Sequence, residues 1–366
     1  MTSRRPRLTP AIADVRRAVR ESLALLTAFR PPAPEPAEGP LVLVGLSGGP
    51  DSLALAAATA FEAPRAGIRA GAIIVDHGLQ DGSARVAQRA AEQATELGLH
   101  PIIVTRVTVG AEGGPEAAAR EARYHAYAAA IETTDAAAVL LGHTLDDQAE
   151  TVLLGLARGS GANSLQGMSP VVRAELSHSG LPDDPEPSRS GSHHLLLRPM
   201  LGIRRSTTEA FCEDSGLEPW HDPHNSDSSF TRVRVRRNVL PILEAELGPG
   251  IAEALARTAE QLREDGSALD HFAEELIEDL ADHAEAGIAL SVRGLQANPA
   301  ALRQRIIRLT VSAEFGVALS RQQTLEVARL VTDWHGQGPL HLPGIRVERH
   351  GQRLVFTAAT QKQESH

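Results

Sequence analysis

The stretch LVLVGLSGGPDSLAL, from Leu41 to Leu55, constrains this chain more than any other. An aliphatic run long enough for a buried strand stops at Ser47-Gly48-Gly49, and hydrophobicity resumes only after Pro50, Asp51 and Ser52. Glycines let the backbone curl so that its N–H groups converge, a proline suits the first turn of a helix, and a helix N-terminus favours negative charge. The stretch therefore reads as strand, anion-binding turn and helix, with phosphate as its natural guest. Ser-Gly-Gly alone would equally suit an ordinary strand-to-helix turn, so the rest of the chain has to decide.

Apolar runs recur at Leu41–Leu46, Gly71–Val75, Pro101–Val104 and Ala138–Leu141, with helical stretches between them. That alternation predicts an α/β fold built on a parallel sheet covered on both faces, with ligands bound beyond the C-terminal strand edges. Upstream, an amphipathic helix is expected from about Thr9 to Phe29, then an extended proline-rich connector, so residues 1–40 precede an α/β domain over 41–240. HLLLRPM, from His194, is a further strand candidate, and the apolar-poor segment 175–193 before it reads as a surface loop. After Asn238 helices are expected over Ile251 to about Ala284, Ala300–Ala313 and Ser320–Trp334, then a β-hairpin around His350-Gly351. Residues 241–366 thus read as a smaller, largely helical α+β domain.

The 366 residues carry a formal charge of −10, which argues against coating nucleic acid by general electrostatics and requires any polyanion to be met by a focused surface. Cys212 is the only cysteine, so one chain can build no disulfide, cysteine zinc cluster or iron–sulfur site, and a reducing cytoplasm fits best. No signal peptide or membrane span is expected. The only lysine is Lys362, which removes the Walker P-loop, kinase-type catalysis and Schiff-base chemistry.

Three more segments converge on the expected strand edge. VDHGL places Asp76 and His77 there, where a base and ribose could be contacted, although Asp-His at a strand end is also a common turn cap. EAAAREARYHAY puts Arg120, Arg123 and Tyr127 at helical spacing, so that one face could offer cations and a ring, while Glu116–Arg120 is equally an ordinary surface pair. GHTLDDQAETVLLGLARGSG pairs Thr144 with Asp147 as a helix cap, predicts a helix to about Arg158, and clusters Asp146, Asp147 and Glu150 in its first turns. The helix dipole accounts for one such acid well and for three poorly.

SGGPDS resembles the signature of the PP-loop ATP pyrophosphatases, and SGGPDS, VDHGL, EARY and GHTLDDQAET in this order resemble one family, the tRNA(Ile)-lysidine synthetases. RPM, with Arg198, and HDPHNSDSSFTRVRVRRNVLPIL extend the likeness over roughly Val42 to Leu243. The resemblance implies a Rossmann-like, adenine nucleotide alpha-hydrolase-like domain in which backbone amides and the Ser47 and Ser52 hydroxyls replace a phosphate-binding lysine. It implies that ATP adenylates the C2 oxygen of the wobble cytidine in an isoleucine tRNA with a CAU anticodon, after which the amine of free lysine displaces AMP. In that scheme Ser47, Gly48, Gly49, Pro50, Asp51 and Ser52 hold pyrophosphate, with Asp51 also at Mg2+. Asp76 and His77 contact the nucleotide, and Arg123 and His143 the adenylate. Asp146, Asp147 and Glu150 recognise or deprotonate lysine. Arg198 and the strip Arg232, Arg234, Arg236 and Arg237 meet tRNA, where a solvated charged face is the plain alternative. Trp220, His221 and His224 stack on bases or fill a domain junction. A homodimer is compatible with all of this. The competing readings are a sulfur-installing tRNA enzyme, an amide-forming ligase and a non-catalytic RNA-binding protein. The first needs more cysteines, the second has no use for the arginine strip, and the third would not need an intact loop with its acids.

Overall fold

Val42 and Val44 of strand β1 (Leu41–Gly45) project to one side and Leu41 and Leu43 to the other, and all four are buried. A strand apolar on both faces belongs inside a sheet with helices above and below it. The structure, a computed structural model, describes residues 8–29, 39–78, 82–108, 110, 115–159, 161–174, 194–222, 227–284 and 287–359. The expected connector and the surface loop at 175–193 lie outside the described residues, as does His224. The chain divides into two compact units, Met1–Glu260 and Gln261–His366.

In the first unit helix α1 (Pro10–Phe29) precedes β1, and α2 (Pro50–Glu62) follows it. Then come β2 (Arg69–Asp76), α3 (Ser83–Glu96), β3 (Ile102–Arg106), α4 (Pro115–Thr134), β4 (Ala138–Leu140), α5 (Leu145–Ala157) and α6 (Ala162–Leu165). A hairpin of β5 (Val171–Ala174) and β6 (His194–Leu197) leads to α7 (Arg205–Ser215) and α8 (Thr231–Arg234). A π-helical turn, Val235–Val239, joins α8 to α9 (Leu240–Leu247), and α10 (Ile251–Leu280) follows, its residues from Gln261 onward belonging to the second unit.

Among the described residues six strands form one sheet in the order β3-β2-β1-β4-β6-β5, parallel throughout except that β5 runs antiparallel to β6. Val44, Leu140 and Leu197 pack with residues of α1, α2 and α7 on one face, while Leu43, Val139 and Leu196 pack with Tyr127 and Ile131 of α4 on the other. The four strands expected from the sequence and the candidate at His194 are all present. The edge strand β5 was not expected, because Val171–Ala174 is too short to show a period.

Helix α5 begins where Thr144 and Asp147 predicted it. The Asp147 carboxylate accepts from the Thr144 amide (2.8 Å) and hydroxyl (2.9 Å), and the helix ends at Ala157 with Arg158 as its cap. The π turn precedes Pro241, and its wide bond runs from the Leu240 amide to the Val235 carbonyl. Val235 and Leu240, five apart, both pack with Leu145 and Ala149 of α5 and with Ala252. That packing keeps residues 241–260 with the first unit, so the division falls at 260/261 rather than at the expected 240/241.

The second unit holds an antiparallel sheet in the order β7-β8-β11-β10-β9, made of β7 (Ala281–Ala284), β8 (Gly287–Ser291), β9 (Leu340–Leu342), β10 (Ile345–His350) and β11 (Arg353–Ala358). Helices α11 (Val292–Ala297), α12 (Ala300–Phe315) and α13 (Arg321–Thr332) share its core through Ile306, Ile307, Val327 and Val331 against Val347 and Phe356. The expected hairpin is β10–β11. The helix expected to reach Ala284 stops at Leu280, because Ala281–Ala284 pairs with β8.

Gly71 marks the tightest approach in the parallel sheet. A Cβ there would lie 2.5 Å from the Pro101 carbonyl oxygen and 2.9 Å from Leu43 Cδ2. We expect Gly71→Ala to lower the unfolding free energy by about 2–3 kcal/mol through overpacking. Urea unfolding measures this, and a midpoint equal to wild type would contradict it.

Candidate active site

Strands β1, β2 and β4 end at one edge of the sheet, where Asp76 closes β2 and Ser47 and His143 follow β1 and β4. A cleft of about 830 Å³ opens at this edge, within the roughly 300–1,000 Å³ usual for ligand pockets.

Its floor is the Ser-Gly-Gly turn. Gly48 has φ +83°, a left-handed conformation that glycine adopts without strain, and its carbonyl accepts from the Trp220 amide at 2.8 Å. Ser52 Oγ accepts from the Ser47 amide (3.1 Å), lies 3.0 Å from Ser47 Oγ, and donates to the Gly49 carbonyl (3.0 Å). Gly49 caps α2 without a side chain and Pro50 opens it, so first-turn amides are left for a ligand. At Gly142 a Cβ would come within 3.1 Å of the Ser52 amide nitrogen, so the end of β4 lies directly against the turn. A cradle of amides and hydroxyls with room beside it fits the phosphates of a nucleotide.

Asp51 accepts from the Thr208 hydroxyl, and its Oδ2 lies 3.4 Å from Arg205 Nε. Burial pushes its carboxyl pKa up against the opposing influence of Thr208 and Arg205. Among the described residues no group of three or more His, Cys, Asp or Glu side chains could hold a metal ion. Mg2+ ordinarily takes one or two carboxylates plus phosphate oxygens and water, and Asp51 beside the phosphate cradle fits that pattern.

On the neighbouring wall Asp76 accepts from the Gly78 amide at 3.0 Å. Burial opposes ionisation of Asp76, but hydrogen bonds from Ser83 and Gly78 hold its pKa below the usual range. His77 Nε2 lies 3.3 Å from Arg123 Nε, and burial together with Arg123 lowers its pKa. Tyr127, paired with Arg120 in the sequence reading, is instead buried with its hydroxyl against Gly45, and Arg120 meets Tyr124.

The acids of α5 face arginines. Arg205 Nη2 donates to Asp147 Oδ1 at 2.8 Å, and its Nη1 lies 3.5 Å from Glu150 Oε1. Arg236 grips Glu150 through Nε (2.6 Å) and Nη2 (3.1 Å), and Arg232 Nε lies 3.5 Å from Glu150 Oε2. Burial pushes the Asp147 carboxyl up, but Arg205, the Thr144 amide, His143 and Arg236 outweigh it and lower its pKa. Asp146 accepts from the Arg205 amide at 2.7 Å and so caps α7. Burial lowers the His143 pKa to about 4, with Asp147 opposing and Arg198, Arg120 and Arg232 assisting, and its buried Nδ1 has no hydrogen-bond partner.

Ser47, Gly49, Asp51, Ser52, Asp76, His77, Arg123, His143, Asp147, Arg236 and Arg237 therefore all border the cleft. Asp146, Glu150, Arg198, Arg232 and Arg234 do not. The arginine strip is no single solvent-facing band. Helical winding turns Arg232 and Arg236, four apart, towards Glu150, whereas Arg234 is exposed and bonds to Ser228 and Ser229 carbonyls (2.7 Å each). Sequence reading missed Arg205, Thr208 and Glu209. The available signal was Arg204-Arg205 at a helix start, where cations are unfavourable unless acids hold them.

Matches to known proteins follow this geometry. The PP-loop domain family matches residues 23–243, and the TilS substrate binding domain matches residues 290–355. The tRNA(Ile)-lysidine synthase of Leifsonia xyli subsp. xyli is 64% identical over 328 residues, covering 89% of this chain and 92% of its own. The chain belongs to the tRNA(Ile)-lysidine synthase family. The member from Thermobifida fusca is 47% identical over 353 residues, covering 95% of this chain and 98% of its own. Among solved structures, the U34-tRNA thiolase NcsA from Methanococcus maripaludis aligns with a TM-score of 0.52 at 19% identity, over 69% of this chain and 80% of that one, and shares the fold. Membership of the lysidine synthase family makes this chain an enzyme, an ATP-binding ligase of tRNA modification. Among the described residues no helix is long and apolar enough to cross a membrane.

With its pKa lowered to about 4, His143 stays neutral in the folded protein, while in the unfolded chain it titrates near about 6.5. The unfolded state then takes up the proton first, so stability falls as pH drops from about 6.5 towards about 4. We expect an NMR titration of the His143 ring to have its midpoint near about 4, and His143→Asn to flatten the pH dependence of the urea midpoint across that window. A ring that titrates like a free histidine would contradict the burial seen here.

Proposed function

We propose that this cleft ligates free lysine to C2 of the wobble cytidine in a CAU-anticodon tRNA(Ile), through an adenylated cytidine, with release of AMP and pyrophosphate. The observation that carries this reading is the pairing, across one cleft, of a lysine-free phosphate cradle with an ionised acid, in a chain of this family. In this reading the Ser47–Ser52 turn grips the two outer phosphates of ATP through amides and hydroxyls. Asp51 is the residue that holds Mg2+, which when bound offsets negative charge on the pyrophosphate. Asp76 and His77 bind base and ribose, and Arg123 with neutral His143 orients the α-phosphate for attack by the cytidine oxygen.

Asp147 is the lysine anchor. A carboxylate held below its usual pKa binds an ammonium well and takes a proton poorly, so recognition suits it better than general-base work. Glu150 is fully buried and gripped by Arg236, and it acts as the counter-ion that orders the arginines. Asp146 keeps its capping role at α7. Arg237, at the cleft rim, and exposed Arg234 are the members of the strip that meet tRNA phosphates, and the second unit supplies further tRNA contact.

Purified protein given ATP, Mg2+, labelled lysine and the CAU-anticodon transcript is expected to label the RNA and to release AMP and pyrophosphate. With lysine omitted, label from α-phosphate ATP should accumulate on the RNA. Asp147→Asn should cut lysine incorporation by about 100-fold or more while leaving RNA adenylation within a few fold. ADP and orthophosphate as products, or lysine incorporation without AMP release, would overturn the proposal.

A further inference from the structure

The arginines around the cleft differ in their counter-charges. Arg205, Arg232 and Arg236 are matched by Asp51, Asp147 and Glu150. Arg120 and Arg198 have only uncharged partners among the described residues. Arg198 is 5% exposed, yet its Nη1 donates to the Ser169 carbonyl (2.7 Å), its Nη2 to the Tyr124 phenol (3.2 Å), and its buried Nε has no partner. Arg120 Nη2 donates to the same phenol oxygen at 3.0 Å, with its guanidinium 4.8 Å from the Tyr124 ring centroid.

Two guanidiniums thus converge on one neutral oxygen. Both lone pairs of the phenol are occupied, which leaves its O–H free to donate. Like charges gathered this way, one of them almost wholly buried, are stabilised by an anion between them. None of Arg120, Tyr124 and Arg198 borders the nucleotide cleft, whereas Tyr127, whose ring centroid is 6.0 Å from that of Tyr124, does. The anion therefore belongs beside the cleft rather than inside it.

We propose that Arg120, Tyr124 and Arg198 form a site for a backbone phosphodiester of the RNA loop whose target base enters the cleft. The inference rests on the tRNA-modifying reading above. Single-stranded RNA is held by charge-assisted contacts to phosphate together with aromatic and guanidinium planes for stacking, and an Arg-on-Tyr pair beside a second arginine supplies all three. A base turned out of its loop also needs its flanking phosphates fixed, and this site stands next to Tyr127 on the cleft wall.

The test compares wild type, Arg120→Ala, Arg120→Lys and Tyr124→Phe, each checked by thermal melting. Arg120 is exposed, so its replacement should leave the fold intact, and Tyr124→Phe keeps the ring. Affinity for the CAU-anticodon transcript is measured over a range of salt, and affinity for a non-hydrolysable ATP analogue is measured separately. Arg120→Ala should weaken transcript binding about 5- to 10-fold and reduce the slope of log affinity against log salt by about 0.7, the loss of one single-strand phosphate contact. Arg120→Lys should keep the slope, Tyr124→Phe should weaken binding with the slope kept, and nucleotide affinity should not change. Transcript affinity and slope unchanged in both Arg120→Ala and Tyr124→Phe would overturn the site. So would weakened nucleotide binding with the slope retained, which would assign the anion to ATP. If wild type itself fails to bind the transcript, the tRNA reading falls along with the site, so the two failures are distinguishable.

Discussion

Arg205 is the charge on which the rest of the site depends. Its guanidinium, 17% exposed, touches Asp51 from α2 and both Asp147 and Glu150 from α5, while its own amide is bound by Asp146. One side chain therefore ties α7 to the helix after the phosphate turn and to the helix after the fourth strand. Buried charges of this kind tolerate little loss: leaving one partner of such a group uncompensated costs roughly 3–5 kcal/mol. Arg232 and Arg236 complete the balance at Glu150, so the segment after α7 is held to the parallel sheet by the same acids that line or back the cleft.

That arrangement separates two carboxylates that would otherwise be alike. Burial dominates at Asp51 and raises its pKa, whereas Arg205 and the Thr144 amide overcome burial at Asp147 and lower it. Environments that push neighbouring acids apart divide their chemical roles. Asp51 is the one that burial holds nearer its neutral form, and Asp147 is the one that its cationic neighbours commit to negative charge.

The parallel sheet was legible in the sequence because its signals are local. Leu41–Gly45 and Ala138–Leu140 are continuous aliphatic runs, and Thr144 announces its helix to Asp147 only three residues on. Arg205 was not legible, since its carboxylate partners lie 154, 58 and 55 residues away and nothing near it in the chain names them. The division of the arginine strip was hidden for a similar reason, because four arginines within six residues look alike until α5 selects two of them. In the second unit, strands as short as Leu340–Leu342 and Ala281–Ala284 carry too few residues for a period to show, so a sheet stood where helices and one hairpin were expected.

The π turn at Val235–Val239 has a further bearing on how this segment can vary. It inserts a slower winding between the arginines and α9, and this lets Val235 and Leu240 anchor on α5 while Arg236 still reaches Glu150. Each residue of an α-helix advances the azimuth by about 100°. Because this turn closes with a bond five residues back, losing one residue between Arg237 and Leu240 would return it to ordinary four-residue winding, with Val235 and the leucine still on the face that meets α5, whereas gaining one would swing α9 about 100° away. The stretch thus carries one residue of slack in a single direction: shortening by one can be absorbed there, and lengthening cannot.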